Sequence, residues 1–153
     1  MSATPSFIPV DVADISAAWL QEVLQPYAPG ARIDGIAIAE AHSGTTGRAR
    51  VVLTHDDARL PKSVFVKLPP FDEGQRKFVE AQGMGKAEAR FYAELAHEVP
   101  VRVPRTWPAS HDEQGRYVMV LEDLQALGAR YPGASDPHLS SFVEGTIDAF
   151  AAL

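Results

Sequence analysis

The sequence predicts an α+β fold, a five-stranded antiparallel sheet with a helix packed on it, and three observations lead there. Runs rich in β-formers, Ile33 to Ile38, Arg50 to Thr54, Ser63 to Leu68 and Tyr117 to Leu121, are set apart by Gly, Pro and Asp signals. Two hairpin turns are legible, Ser43-Gly44-Thr45-Thr46-Gly47 and Asp112-Glu113-Gln114-Gly115, the second entered by an extended passage that supplies one more strand. Helical spacing of apolar residues appears before the first strand, after the third and after the last.

The first helix follows from Asp14 as N-cap, with Ile15, Trp19, Leu20, Val23 and Leu24 at helical spacing, and Pro26 with Pro29-Gly30 ends it. Alternating Ile marks the first strand, and His55-Asp56-Asp57 and Pro61 turn the chain from the second into the third. Pro69-Pro70 stops the third strand. A short helix, Glu73 to Gln82, then precedes Gly83, and a clearer one runs from Met84 to Glu98. Pro100, Pro104 and Pro108 punctuate the extended passage, and Tyr117-Val118-Met119-Val120-Leu121 is apolar throughout, as a strand buried on both faces requires. Past Glu122-Asp123-Leu124 a loop ends in Pro132-Gly133, and Asp136 caps a last helix with Pro137 in its first position. That helix puts Leu139, Phe142, Val143, Ile147 and Phe150 on one stripe and reaches Leu153 without a Gly or Pro stop, from which we expect the natural protein to continue.

With 153 residues, 46% hydrophobic and 22% charged, the chain matches one globular core. No cysteine is present, which excludes disulfides, thiolate metal sites and thiol nucleophiles, and the five histidines are scattered. No apolar run approaches the roughly 18 residues of a membrane span and Met1 to Pro9 lacks a signal-like pattern, so neither a membrane nor export is expected and the address is cytoplasmic. The net charge of −6 argues against a nucleic-acid partner. All fourteen Lys and Arg lie between Arg32 and Arg130, leaving room for a local anion site.

Two charges stand where apolar groups are expected. A 3.6-residue period places Glu88 on a stripe with Met84, Phe91, Tyr92 and Leu95, which reads as core-facing. Alternation places Lys67 beside Phe65, opposite Val64, Val66 and Leu68. Each charge is costly to bury alone, and an ion pair between them resolves both anomalies. The plainer reading has Lys67 reaching to solvent from a strand end while Glu88 borders an apolar face. Chain order favours the pair: glycine-rich hairpin, strand Lys, helix Glu, then an apolar strand ending in a short connector, the layout by which kinases hold a nucleotide.

The segments Lys62-Ser63-Val64-Phe65-Val66-Lys67, Glu88-Ala89-Arg90-Phe91-Tyr92-Ala93-Glu94-Leu95, Val103-Pro104-Arg105 and Val120-Leu121-Glu122-Asp123-Leu124 resemble the aminoglycoside phosphotransferase and choline-kinase-like family, especially its ecdysteroid-kinase-like branch. The likeness runs from about Asp11 onward. It implies a protein-kinase-like N-terminal lobe over residues 31–124, preceded by a helical segment, 1–30, and followed by a linker and the first helix of a second lobe, 125–153. It also implies ATP or GTP with magnesium as cofactor and a small-molecule hydroxyl as acceptor. By position Lys67 meets the nucleotide phosphates, Glu88 orients Lys67, Glu122, Asp123 and Leu124 form the hinge beside the purine, and Ser43, Gly44, Thr45, Thr46 and Gly47 form the phosphate loop.

Two departures qualify the likeness. The turn lacks the full G-x-G-x-x-G pattern, and an ordinary hairpin turn explains it equally well. The His-Gly-Asp type catalytic motif, its downstream Asn and the metal-binding Asp are all missing, so no catalytic residue and no metal ligand is assigned. His55-Asp56-Asp57 and His111-Asp112-Glu113 fall in turns and lack the Asn. Gly83-Met84-Gly85-Lys86 is followed by Ala87 where a nucleotide-binding P-loop needs Ser or Thr. Two alternatives stay open: a non-catalytic kinase-derived binding module using the apolar face of the last helix, and a plain α+β fold whose Lys67 and Glu88 never meet.

Overall fold

A computed structural model describes residues 5–153. Strands β1 (Gly35–Ser43), β2 (Gly47–Thr54), β3 (Ser63–Leu68), β4 (Thr106–His111) and β5 (Tyr117–Glu122) form one open sheet in the order β1-β2-β3-β5-β4, every neighbouring pair antiparallel. The predicted α+β class and five-stranded sheet are present. The first hairpin is longer than its sequence reading: its strands run up to Ser43 and Gly47, which pair with each other, leaving three residues in the turn. Cross-strand pairing draws in the alternating Arg48-Ala49 that the hydrophobic run alone had left out.

Both edge strands carry a bulge. Between Ile38 and Glu40, β1 inserts Ala39 opposite a single step of β2, and between Thr106 and Ala109, β4 inserts one residue beside Pro108, where no ladder N–H is required. An inserted residue inverts the facing of everything beyond it.

Strict alternation divides the inner strands. Ala49, Val51, Leu53, Val64, Val66, Leu68, Val118 and Val120 form one face, which packs with helix α1 (Ala17–Leu24) through Trp19, Leu20, Val23 and Leu24. The opening segment therefore shares the core of the sheet. The other face carries Arg48, Arg50, Phe65, Lys67, Tyr117, Met119 and Leu121, and is covered over its β4–β5 half by helix α3 (Met84–Arg90). Helix α2 (Glu73–Gln82), capped by Asp72 accepting from Gln75 N–H at 2.8 Å, ends at Gly83, whose φ of 64° is the left-handed conformation that stops a helix.

Three local expectations change. Asp14 is not the cap of α1. It closes a capping box with Asp11 around a one-turn 3-10 helix, Val12–Asp14, and the cap of α1 is Ser16, accepting from Trp19 N–H at 3.1 Å. The expected helix from Met84 to Glu98 widens after Arg90 into a π turn, Phe91–Leu95, with Ala96 N–H donating to Phe91 C=O at 2.8 Å. Its expected core stripe is also displaced: Met84 and Leu95 are about half exposed, at 48% and 51%, and the buried positions are Gly85 and Ala89. The cause is steric. A β-carbon on Gly85 would lie 1.8 Å from the Tyr117 ring, so the helix approaches the sheet along its smallest residues and its larger side chains flank the contact. Finally, Asp136 accepts from His138 N–H ahead of helix α4 (Leu139–Ala151), which starts without a side-chain cap. The expected stripe on α4 is formed and exposed at Phe142, Val143, Ile147 and Phe150.

Candidate functional site

Where α3 stops covering the sheet, the polar face opens into a cleft of about 490 Å³, within the usual range for small-molecule sites. Strands β2 and β3 floor it with Arg48, Arg50, Phe65 and Lys67. Glu40 and His42 join from β1 only because the bulge at Ala39 turns them onto the Arg50 and Arg48 face, away from the face of Ile36. Tyr92, held beside the sheet by the π turn, and Tyr131 add aromatic walls, and Leu121 to Gln125 close the far end.

Lys67 and Glu88 form an ion pair, so the plain fold in which they never meet is set aside. Their side chains keep 19% and 32% exposure, dry enough for the pair to be more than a solvent-exposed contact. Gly85 and Ala89, one helical turn apart, bring α3 down onto Tyr117 and Met119, and Glu88 beside them then faces the strand that carries Lys67. Lys67 lines the cleft while Glu88 stands behind it.

The connector residues divide. Asp123 is buried and saturated: Arg50 Nε donates to Oδ2 at 2.7 Å, Ser63 Oγ donates to Oδ2 at 2.6 Å, and Ala126 N–H donates to Oδ1 at 3.2 Å. Burial pushes its carboxyl up, but the donations from Ser63, Arg50 and Ala126 outweigh that and hold it below the ordinary carboxylate value. It is a clamp joining β2, β3 and the connector. Glu122 accepts from Arg102 at 2.8 Å and from Arg105 N–H at 3.2 Å, which ties the connector to the approach of β4. Leu124 C=O accepts from Ala129 and Leu127, whereas its N–H makes no hydrogen bond among the described residues, and the residue is one of those lining the cleft.

Ser43, Gly44, Thr45, Thr46 and Gly47 do not line the cleft; their neighbours His42 and Arg48 do. The turn instead folds against the exit of β3. Ser43 Oγ accepts from Phe71 N–H at 2.9 Å, and a β-carbon on Gly47 would come within 2.4 Å of Pro69 C=O. Gly47 is thus needed for close packing. Tyr117, whose ring fills the space over Gly85, has a buried hydroxyl with no hydrogen bond of good geometry, and desolvation pushes it up to about 12.

Sequence reasoning missed Arg48, Arg50, His42, Tyr92 and Tyr131 as lining residues. The alternation Arg48-Ala49-Arg50-Val51 was the available signal for the first two. His42 needed the bulge, and Tyr131 sits in a loop with no periodicity to read.

No family model, curated protein or solved structure matches this chain. No helix among the described residues is long and apolar enough to cross a membrane.

Proposed function

We propose that this chain is the nucleotide-holding lobe of a small-molecule phosphotransferase, in which ATP or GTP occupies the cleft and supplies a phosphoryl group to a hydroxyl acceptor. The observation that carries the reading is the Lys67–Glu88 ion pair, spanning strand and helix with the ammonium at the floor of the cleft. A lysine held by a helix carboxylate has its direction fixed, and a fixed ammonium binds phosphate oxygens at lower entropic cost than a mobile one.

The rest of the cleft suits the other end of a nucleotide. Phe65, Leu121, Tyr92 and Tyr131 offer apolar and aromatic surface to a flat base, and the unpaired Leu124 N–H offers it a donor. Asp123 acts on the cleft indirectly, because its oxygens are already occupied and its work is to fix Arg50 and the connector. Magnesium enters this reading as the companion of the nucleotide phosphates. In phosphoryl transfer most of the protein's work is positioning and charge neutralisation, and these residues serve that part of it.

Amide NMR titration with millimolar MgATP and MgGTP tests the reading. Expected are shifts at Lys67 and Leu124, lost in Lys67→Met while the remaining spectrum stays folded. Titration that leaves the wild-type amides unmoved, or a Lys67→Met variant that binds as well as wild type, overturns it.

A further inference from the structure

We infer that Arg48 is a second anion-binding residue of the cleft, and that it makes the site one for a polyphosphate group. Arg48 and Lys67 are register partners on adjacent antiparallel strands and line the same cleft. Side chains directly opposite one another in such a ladder stand about 4.5 to 5.5 Å apart at their β-carbons, and like charges so placed destabilise the sheet. An anion between the two heads reverses the sign of that interaction.

The pairing of the other charges singles Arg48 out. Among the described residues, every other Lys, Arg, Asp or Glu lining the cleft has an ionic partner: Lys67 has Glu88, Arg50 has Asp123 and Glu40, and Glu122 has Arg102. Arg48 has none, and it is exposed. It lies beyond Arg50 along β2, at the level of Lys67 and away from Leu124, so the unbalanced positive charge falls at the end of the cleft remote from the connector. Opposite it on β1 stands His42, which supplies no negative charge.

Two cationic heads of different shape suit consecutive phosphoryl groups. The guanidinium can bridge two oxygens of one phosphate, while the ammonium behind it acts as a point charge on the next. This also accounts for a cleft that the glycine-rich turn does not line, since a β2 side chain takes the place of loop amides. The identity of the ligand as a nucleotide rests on the proposed function; the polyphosphate chemistry rests on the charge arrangement alone.

The test titrates wild type, Arg48→Ala, Arg48→Lys and Lys67→Met with ATP, adenosine and inorganic tripolyphosphate, reading amide shifts. Expected is a loss of about tenfold or more in ATP and tripolyphosphate affinity in Arg48→Ala, the size of one charge-assisted contact, with adenosine unaffected and Arg48→Lys intermediate. Urea unfolding without ligand is expected to show Arg48→Ala at least as stable as wild type, because a like-charge neighbour is gone. Unchanged ATP and tripolyphosphate affinity in Arg48→Ala, with Lys67→Met defective, overturns the role of Arg48 and leaves the nucleotide reading standing. Tripolyphosphate binding through Arg48 with ATP no tighter and Leu124 unmoved overturns the nucleotide reading instead. Absence of binding by any of the three ligands sinks both.

Discussion

The two faces of the sheet are built from the same strands, residue by residue in alternation, yet they are held together by different physics. On the α1 face, Val51, Val64, Val66, Val118 and Val120 meet Leu20 and Trp19 in a dry contact whose stability comes from apolar area removed from water. On the α3 face the helix backbone is brought close by Gly85 and Ala89, and the uncovered remainder is occupied by an ion pair, a clamped carboxylate and an unpaired arginine. The difference teaches where each kind of change will register: on the first face in folding, on the second in the geometry of the cleft.

Truncation of the dry face is expected to have the largest effect. Leu20 is fully buried in the contact with the sheet, so Leu20→Ala should lower stability by about 2 to 5 kcal/mol in urea unfolding while the folded fraction keeps its cleft. A cost below that range would break the contrast by showing that α1 contributes little.

Enlarging the close contact on the other face comes next. Gly85→Ala places a methyl where the Tyr117 ring lies, and overpacking of this kind costs about 1 to 3 kcal/mol. Unlike the change at Leu20, it should also shift the amide resonances of Lys67 in the folded protein, because α3 must lift and take Glu88 with it. Stability lost without such a shift would mean that the helix does not set the ion pair.

The smallest expected effect is at Tyr117. Its folded-state value of about 12 lies above the ordinary value of 10, so the native protein holds the phenolic proton more tightly than the unfolded chain does. Stability from this source is complete below pH 10 and is lost as pH rises from there towards 12. Tyr117→Phe removes a buried hydroxyl that lacks a partner, and we expect neutral-pH stability to stay within about 1 kcal/mol of wild type or to rise, with a flatter alkaline slope. Unfolding curves at pH 9 and pH 11.5 measure both. An unaltered slope would mean that another group carries the alkaline loss.

Much of this was legible in the residues. Strand alternation at Ser63 to Leu68 put Lys67 on the face opposite Val64 and Val66, and the unusual placement of Glu88 pointed to its partner. The stripe that large apolar residues mark on that helix is nevertheless not the one that is buried. Hydrophobicity assigns glycine no facing preference, and Gly85 is the residue that fixes the contact. The connector at Glu122, Asp123 and Leu124 lines the cleft, but the hydrogen bonding of Asp123 with Ser63 and Arg50 joins residues some sixty to seventy positions apart, which no local pattern reports.

By itself, then, the sequence determined which side of its strand each inner residue faces and which segments are helices, because both follow from short backbone periods. The tertiary structure alone decided that Arg48 stands opposite Lys67, that Ala39 bulges so that Glu40 and His42 reach the cleft, and that α3 descends onto Tyr117. Those are matters of cross-strand register and of contact between distant segments. They are fixed by what the whole sheet and its helices can pack at once, and no window of the chain contains them.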